Sequence, residues 1–360
     1  MKVKLEEVCK RIYAGGDVPK DRYSEVKTKK YSIPIYANAE KDNGLYGYTD
    51  KAREEELSIT VAARGTIGFT AIRREPFLPV VRLITVVPDT EKVSERYLYY
   101  VLKNCKPQSS GTSIPQLTVP DIKKNRLELY DISEQERIAD QVDKVSKVIE
   151  LRKQELEALD NLIKARFVEM FGNPQDNPFG WEKVPLSKVI LNANNGMARR
   201  GNDENGNIVM RLVELQDGYI DYSNPNRIVL KEDEKTRYLL RDKDFLFARV
   251  NGNPNNVGRC AVFEDIGEDV YHNDHIIRVH FNELLLDGTF ASALLNSDYG
   301  KRQLKGQIKT SAGQYTVSQD GIGAIVTILP PMPIQKEFAD FVHQIDKSKV
   351  VYQGYSQYIA

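Results

Sequence analysis

Apolar residues recur at alternating steps of four and three through the middle of the chain, and arginines at 152 and 166 fill two skipped steps. The apolar positions are Ile138, Val142, Val145, Ile149, Leu156, Leu159, Ile163 and Met170. This spacing is typical of a helix that packs along a seam against another helix. Ser133 with Glu136 predicts a capping box at its start, and Gly172 followed by Pro174 predicts its end. The pattern therefore predicts one helix over 133–171.

A second stretch begins with the same spacing near the end of the chain. Pro333 takes the place of Ser133. The matching seam positions are Phe338, Val342 and Ile345. The heptad then stops, and Gly354 lowers the helix propensity. We predict a second helix that ends near Val350 and is a partner for the first.

Short segments recur in the same order in the two halves of the chain. The matched pairs are 2–8 with 183–189, 63–64 with 248–249, 68–71 with 258–261, 80–83 with 276–279, 118–119 with 316–317 and 135–140 with 335–340. The offset grows along the chain, as loop insertions in the second copy would give, and Asn251–Asn256 is one such insertion. Chance similarity is the alternative, and the common order favours a duplicated domain.

The regions on either side of the first helix predict mixed α/β domains. Runs rich in β-branched and aromatic residues predict strands at 58–63, 80–87, 244–250 and 276–281. One amphipathic helix is expected in each copy, at 94–103 and at 288–295. The predicted class is α+β, with domains at 1–130 and 173–330, the first helix at 131–172 and the second at 331–360.

The balance of charge limits how the protein could bind nucleic acid. Lys and Arg number 51, as do Asp and Glu, so DNA binding would need local basic patches or a partner. The three cysteines, Cys9, Cys105 and Cys260, lie far apart, which suits a reducing compartment. Because neither a long apolar run nor a signal-peptide pattern is found, we expect a cytoplasmic protein.

Several loops carry side chains suited to DNA contact, since Arg pairs with guanine, Asn and Gln pair with adenine, and Lys, Ser and Thr hold phosphates. The candidates in the first domain are Arg64, Thr66, Ser110, Thr112 and Gln116. The candidates in the second are Arg199, Arg200, Arg249, Asn251, Asn253, Asn255, Asn256, Arg259, Lys309, Thr310 and Gln314. Each residue alone could belong to an ordinary solvated turn, and the matched placement supports the loops rather than single residues.

Motifs for catalysis are weak throughout. The acidic residues of 88–92 lie too close together for a nuclease site, and the Asn-Pro pairs lack the second proline of an amino-methyltransferase motif. Gly321-Ile-Gly323 is a fragment of a dinucleotide loop. His272 and His275 could be two metal ligands, but further ligands are not evident and turn histidines are the simpler interpretation. We predict no catalytic residue, metal or cofactor in this chain.

Three stretches resemble the specificity subunits of type I restriction-modification systems. They are the helix entry at 132–139 with its echo at 331–339, the segment 111–122 and the segment 167–174. The resemblance implies two target recognition domains, each reading one half of a bipartite site in double-stranded DNA. It also implies long helices that pair as an antiparallel coiled coil, act as a spacer and bind methyltransferase subunits, usually two. S-adenosylmethionine, ATP and Mg would then belong to the methyltransferase and restriction/translocase subunits.

One feature departs from the family pattern, because the second helix should be about as long as the first. We expect it to be truncated here, which would weaken binding of a second methyltransferase subunit. Two other classes stay open on the residues alone. A free-standing DNA-modifying enzyme would act on DNA without partners, and a coiled-coil scaffold that binds only proteins would show no sequence-selective DNA binding.

Overall fold

A computed structural model of the protein describes residues 1–105, 116–311 and 313–356. The chain packs as two compact units, Met1–Leu151 and Arg152–Ala360. The longest helix begins in the first unit and ends in the second. Among the described residues, none of the helices is long and apolar enough to cross a membrane.

The first unit contains three sheets among its described residues. The elements in chain order are β1 Lys2–Lys4, β2 Cys9–Ala14, β3 Ile33–Tyr36, β4 Leu45–Thr49, β5 Ser58–Val61, β6 Thr70–Arg73, β7 Leu78–Pro79, β8 Ile84–Pro88, α1 Glu95–Lys103, α2 Val119–Lys124, β9 Arg126–Glu128 and α3 Ile132–Phe171. The sheet orders are β1-β9, β2-β8-β5-β6 and β4-β3-β7. All pairs are antiparallel except β3 with β7.

The second unit repeats this plan and adds a small sheet. Its elements are β10 Glu182–Pro185, β11 Ile190–Asn195, β12 Asn207–Met210, β13 Arg227–Ile228, α4 Glu232–Tyr238, β14 Phe245–Ala248, β15 Val250–Asn251, β16 Cys260–Val262, β17 Val270–His272, β18 Ile276–Phe281, α5 Gly288–Asn296, α6 Asp298–Gln307, β19 Lys309–Ser311, β20 Gln314–Thr316, α7 Gln319–Gly323, β21 Val326–Leu329 and α8 Met332–Ser356. The sheet orders are β10-β21, β11-β18-β14-β16, β13-β12-β17 and β15-β20-β19.

The two units share one topology, which confirms the predicted fold class and the duplication. The four-stranded sheets β2-β8-β5-β6 and β11-β18-β14-β16 match strand for strand. The parallel pair of β4-β3-β7, formed by β3 with β7, is equivalent to that of β13-β12-β17, formed by β12 with β17. Each four-stranded sheet packs its apolar side chains into the main core of its own unit.

The predicted strands and helices are confirmed in position, with shifts at their ends. Strand β18 covers the predicted 276–281, and α1 and α5 lie where the two amphipathic helices were expected. Strand β8 begins at Ile84 rather than at 80, because a tight turn occupies residues 80–83. The expectation of one helix per copy was too low, since short helices such as α2 and α7 are also present.

Backbone hydrogen bonds correct the register of the repeat. In each unit, the N–H of one alanine donates at 2.8 Å to a backbone carbonyl oxygen in the strand region that follows. This alanine is Ala62 in the first unit and Ala248 in the second. Ala63 therefore corresponds to Arg249, so the predicted match of Arg64 with that arginine is off by one residue. A similar pair of residue names does not fix strand register, whereas the hydrogen-bond ladder does.

Two further matches shift for the same reason. A glycine N–H donates to the carbonyl oxygen of Leu83 at 2.8 Å in the first unit and to that of Ile276 at 3.3 Å in the second, so Leu83 and Ile276 are equivalent. The predicted match of 80–83 with 276–279 is therefore wrong by three residues. The N–H groups of Leu117 and Val317 donate to equivalent strand ends at 3.0 and 2.9 Å, so these two residues are equivalent. The predicted match of 118–119 with 316–317 is therefore wrong by two residues. The matches at 2–8, 68–71 and 135–140 are confirmed.

The start of α3 differs from the predicted capping box. Asp131 is the capping residue, because its Oδ1 accepts the N–H of Glu134 at 2.8 Å and the hydroxyl of Ser133 at 2.6 Å. Glu136 instead accepts a hydrogen bond from Arg96 at 2.9 Å, since that cation offers a charged partner. The predicted end is confirmed by Gly172, whose φ is +72°.

Helix α8 ends later than predicted. It continues through Gly354 to Ser356, beyond the expected end near Val350. One glycine inside a helix costs only about 1 kcal/mol, too little to end a helix by itself. With 25 residues, α8 is still shorter than the 40-residue α3.

Within the second unit, α3 and α8 pair as an antiparallel coiled coil, as expected. The rings of Phe167 and Phe171 each lie 5.5 Å from the ring of Phe338. About two turns before Phe167 on α3, Asp160 forms an ion pair with Lys349 at 2.7 Å. Residues earlier in α3 thus contact residues later in α8, as in any antiparallel helix pair.

The predicted seam residues differ in how they pack. Ile163 and Val342 belong to the core of the second unit, and Ile138 packs against the core of the first. The half-buried positions are Val142, Leu156, Leu159 and Ile345. Val145 and Ile149 remain 42% and 45% exposed, contrary to a seam packed along its whole length. The seam is closed where the phenylalanines of both helices meet.

Candidate nucleic-acid interface

In the second unit, the small sheet brings two predicted DNA-contacting loops together. Val250–Asn251 pairs with Tyr315 and Thr316, and the hairpin of β19 and β20 pairs on the other side. The asparagine-rich loop at 251–256 therefore begins beside the hairpin. The exposed predicted residues on that hairpin are Lys309, Thr310 and Gln314.

Arg249 lies at the end of the central strand β14, directly before this sheet. Its backbone N–H donates to His275 O at 2.7 Å and its Nη1 donates to Asp274 O at 3.0 Å, so the side chain has a fixed direction. Arg249 and Lys309 line the same open cleft of about 340 Å³, together with Asn195 and residues 316–320. The cleft offers two cations and the side-chain amides of Asn195 and Gln319 to an anionic or base-edge ligand, and Asp320 adds one carboxylate to its lining.

The asparagines shape their own loop. Asn251 Oδ1 accepts the N–H of Asn253 at 2.9 Å, and Asn253 Oδ1 accepts the N–H of Asn255 at 3.0 Å. These turns orient the two carbonyl oxygens inward. Asn253 and Asn255 are exposed, whereas Asn251 and Asn256 are half-buried. The amide groups of the exposed asparagines are thus available for donor contacts.

The remaining predicted arginines divide into two kinds. Arg200 Nη2 donates to Asp274 Oδ1 at 2.6 Å and lies 3.1 Å from His275 Nε2, at the same turn that Arg249 contacts. Arg199 is bound to Glu234 and to Val229 O, at 2.7 Å for the latter. Arg200 therefore contacts the same turn as Arg249, and Arg199 is engaged inside the fold.

Arg259 is also engaged within its own unit. Its Nη1 donates to Gln216 Oε1 at 3.2 Å, and its Nε lies 3.7 Å from a carboxylate oxygen of Asp217. Arg259 is not among the residues that line the cleft. Arg259 thus differs from Arg249, which lines the cleft.

In the first unit, the structure brings Arg64 and Gln116 together. Arg64 is exposed, and its Nε donates to Gln116 Oε1 at 3.1 Å. Thr66 is exposed in the loop that follows. Ser110 and Thr112 lie outside the described residues.

Two further features were not predicted from the sequence. The turn Asp274–His275 contacts both Arg200 and Arg249, whereas the sequence around it suggested only metal binding. In the first unit, a basic run at 27–30 is exposed, and its local density of lysine was the signal that could have identified it.

His272 is a buried strand residue rather than a turn histidine. Its Nδ1 donates to Tyr238 O at 3.1 Å. Burial lowers the pKa of His272 from 6.5 to about 4, so the imidazole is neutral at pH 7. Burial also lowers the pKa of His275, although less strongly. His272 therefore serves packing in this fold.

The described residues contain no group of three or more His, Cys, Asp or Glu placed to bind a metal ion. All three cysteines are free thiols. Burial raises the pKa of Cys9 to about 12 and that of Cys105 to about 11, so both are protonated and unreactive at pH 7.

Comparison with known proteins gives a consistent family. Residues 1–161 match the family model described as the type I restriction modification DNA specificity domain. The StySPI specificity subunit of Salmonella potsdam is 24% identical over 348 residues, which is 87% of this chain and 75% of that protein. A Mycoplasma pneumoniae protein, the S.MpnORF289P C-terminus, a putative type I specificity subunit, is 35% identical over 127 residues, 32% of this chain and 87% of that protein.

A solved structure shows the same fold. The S subunit of a type I restriction-modification system from M. genitalium aligns with a TM-score of 0.56 over 99% of this chain and 91% of that one. The identity is 15%, so this likeness concerns the fold alone. It agrees with two similar α/β units and long helices.

Proposed function

Because the chain belongs to the specificity subunits of type I restriction-modification systems, we propose that its two units are target recognition domains that each read one half of a bipartite DNA site. The duplicated architecture carries this proposal. Both four-stranded sheets have the same strand order. Arg64 and Arg249 lie just beyond the equivalent strands β5 and β14. Two such surfaces in one chain suit two half-sites.

In the second unit, the proposed reading surface is the cleft and the loops beside it. Arg249 has the donor geometry to span two acceptors on a guanine edge, and the amide of Asn253 suits adenine. Lys309 and Thr310 on the hairpin suit phosphate contacts, which position the domain without reading sequence. Arg199 and Arg259 are assigned to holding the fold of the unit.

In the first unit, the proposed contacts are Arg64, Thr66 and Gln116. The hydrogen bond between Arg64 and Gln116 orders both side chains at the end of β5. Such ordering lowers the entropy lost on binding, because fewer rotamers remain to be fixed. Ser110 and Thr112 stay proposed contacts on the basis of the sequence.

The helices α3 and α8 are proposed to act as spacer and as the binding surface for methyltransferase subunits. The exposed apolar side chains on α3, Val145, Val148 and Ile149, suit burial against a protein partner. Those partners would supply S-adenosylmethionine, and restriction subunits would supply ATP-driven activity with Mg. This chain itself would then contribute recognition and no catalysis.

Sequencing of the methylated DNA tests the proposal directly. In cells that carry the complete system, deletion of this gene should remove one bipartite methylated motif, and a plasmid copy should restore it. A frame-shifted copy is the control and should restore nothing. An unchanged methylome, or modification of DNA by the purified chain without partners, would contradict the proposal.

A further inference from the structure

A turn in the first unit, Val80–Leu83, places two adjacent residues in the left-handed conformation. The φ angle is +52° at Val81 and +60° at Arg82. The N–H of Leu83 donates to Val80 O at 3.0 Å, which closes the turn. Positive φ at both central residues is type I′ geometry, where Asn and Gly are usual. A β-branched valine is a rare and unfavourable choice there.

The surrounding structure imposes this conformation. The N–H of Val81 donates to Gly16 O at 2.7 Å, and the Asn38 amide donates to Val81 O. Asn38 Oδ1 also accepts the N–H of Ala63 at 2.7 Å, so one side chain joins the turn to the end of β5. Val81 is 47% exposed, so core packing does not explain the strain. Strain that is fixed in this way concentrates at functional sites.

Asn38 joins the backbone at Val81, next to Arg82, to the backbone at Ala63, next to Arg64. Arg64 follows directly on Ala63, the residue that Asn38 holds, and both arginines are exposed. Within residues 1–105 and 116–311, neither forms an ion pair with a carboxylate. Other exposed arginines of the unit do so, for example Arg22 with Asp50 at 2.7 Å. Two exposed guanidinium groups carried on backbone segments that one side chain joins favour an acceptor-rich ligand.

The second unit has the equivalent turn, residues 273–276. The carbonyl oxygen of residue 273 accepts the N–H of residue 276 at 3.0 Å, which closes this turn. The N–H of Asp274 donates to the preceding strand region at 2.9 Å, as the N–H of Val81 does in the first unit. Asp274 and His275 therefore correspond to Val81 and Arg82. The two units differ in charge at this turn.

The segments that carry arginines at this turn differ between the two units. In the second, Arg249 extends from the strand end and its Nη1 donates to Asp274 O at 3.0 Å. The equivalent strand position in the first unit is Ala63, and Arg82 extends from the turn instead. Arg200 also contacts the turn in the second unit, with its Nη2 2.6 Å from Asp274 Oδ1, so in that unit the arginines lie on segments outside the turn, whereas in the first unit the turn itself carries one.

We propose that Arg82 contacts a base edge in the half-site read by the first unit, and that Asn38 is a positioning residue that holds its turn. This inference rests on the proposed function. Guanine is the base whose O6 and N7 acceptors match a guanidinium in the major groove.

Arg82→Gly gives the sharpest test, because glycine favours the positive φ while the side chain is removed. The full chain is co-expressed with its methyltransferase, and methylation of a randomised DNA library is sequenced. The variant should unfold at the same temperature as the wild type or higher. Its preference for one base over the others should fall at least about fivefold at one position of one half-site, and the other half-site should be unchanged. Arg126→Ala, at an exposed arginine on β9, is the matched control and should change neither half.

The outcomes separate this inference from the function on which it rests. An unchanged first half-site in R82G would overturn the role of Arg82 and leave the proposed function intact. Equal weakening at every sequence would identify a phosphate contact and overturn base contact. A wild-type complex that methylates no bipartite motif would overturn the proposed function and this inference together.

A double-mutant comparison tests Asn38. Asn38→Asp keeps the acceptor for Ala63 and loses the donor to Val81, so it should relax the same base position as R82G. Because Asn38 acts through Arg82, adding R82G to N38D should cause no further relaxation. Relaxation at a different position, or additive losses, would overturn its positioning role.

Discussion

Gln135 and Gln335 are buried at equivalent positions and make the same three hydrogen bonds in their respective units. Each Oε1 accepts a backbone N–H, from Ser94 at 2.8 Å and from Asp287 at 2.9 Å. Each Nε2 donates to two carbonyl oxygens, at 3.0 and 2.9 Å in the first unit and at 3.0 and 2.7 Å in the second. Ser94 and Asp287 cap α1 and α5, so each glutamine joins a long helix to its domain.

Replacement of Gln335 should destabilise the second unit strongly. Gln335→Leu leaves one N–H and two carbonyl groups without their partner in a buried site, which should cost roughly 2–5 kcal/mol. Trp181, the single tryptophan, lies in this unit, so its fluorescence in a urea titration reports on the unfolding. Gln344→Leu on the exposed face of α8 is the control. Equal effects of the two variants would contradict the role of the hydrogen bonds.

The phenylalanine cluster at the helix crossing should dominate the packing energy of the coiled coil. Phe338 is fully buried against Phe167 and Phe171, so Phe338→Ala should lower the free energy of unfolding by about 3–5 kcal/mol. Leu162→Ala, at an exposed position on α3, should cost far less. The Trp181 titration measures both, and similar losses would argue against a crossing fixed by the cluster.

The helices and the duplication were predictable because they depend on patterns that survive sequence change. A heptad needs only apolar residues at the right spacing, and a repeat needs only a common order. Register was not predictable in short strands, where several apolar runs fit equally well. Ala63 and Arg249 are equivalent through hydrogen bonds that no residue name reveals.

The candidate site was predictable as a set of loops and not as a set of contacts. Arg199 and Arg249 have the same side chain, yet one is bound to Glu234 and the other lines the cleft. Glu234 is distant in sequence, so only the fold shows this pairing. The turn at Val81 and Arg82 escaped prediction because neither residue favours the left-handed conformation. Tertiary hydrogen bonds impose it.

Acid should destabilise the second unit through His272. Burial gives this group a pKa of about 4 in the fold against 6.5 for an exposed histidine, so below pH 6.5 the unfolded chain binds the proton more readily. The stabilisation is complete above pH 6.5 and falls as pH drops towards 4. Between pH 7.5 and 4.5 the loss should be on the order of 2–3 kcal/mol.

His272→Gln isolates that contribution, because glutamine can donate to Tyr238 O without titrating. Urea titrations at both pH values should show a smaller difference for H272Q than for the wild type. His343→Gln, at an exposed histidine on α8, serves as control and should keep the wild-type difference. Parallel curves for H272Q and the wild type would exclude His272 as the acid-sensitive group.

Arg249 should determine one base of the half-site read by the second unit. Arg249→Ala should reduce discrimination there by about 1–3 kcal/mol and leave the other half unchanged, since a bidentate contact is lost at one position only. The library methylation assay measures this. Arg259→Ala removes an arginine paired with Asp217 and should leave the motif intact. Relaxation of both halves by R249A would indicate a folding defect instead.

Lys309 should contribute affinity without sequence information. It is exposed on the hairpin beside the cleft, so Lys309→Ala should weaken binding to all DNA sequences and reduce the slope of log K against log salt concentration by about 1. Titrations of the chain with its methyltransferase on matched and unmatched duplexes at several salt concentrations measure both quantities. Lys336→Ala, at an exposed lysine on α8, should leave the slope unchanged. A change of base preference in K309A with an unaltered slope would instead place Lys309 against a base edge.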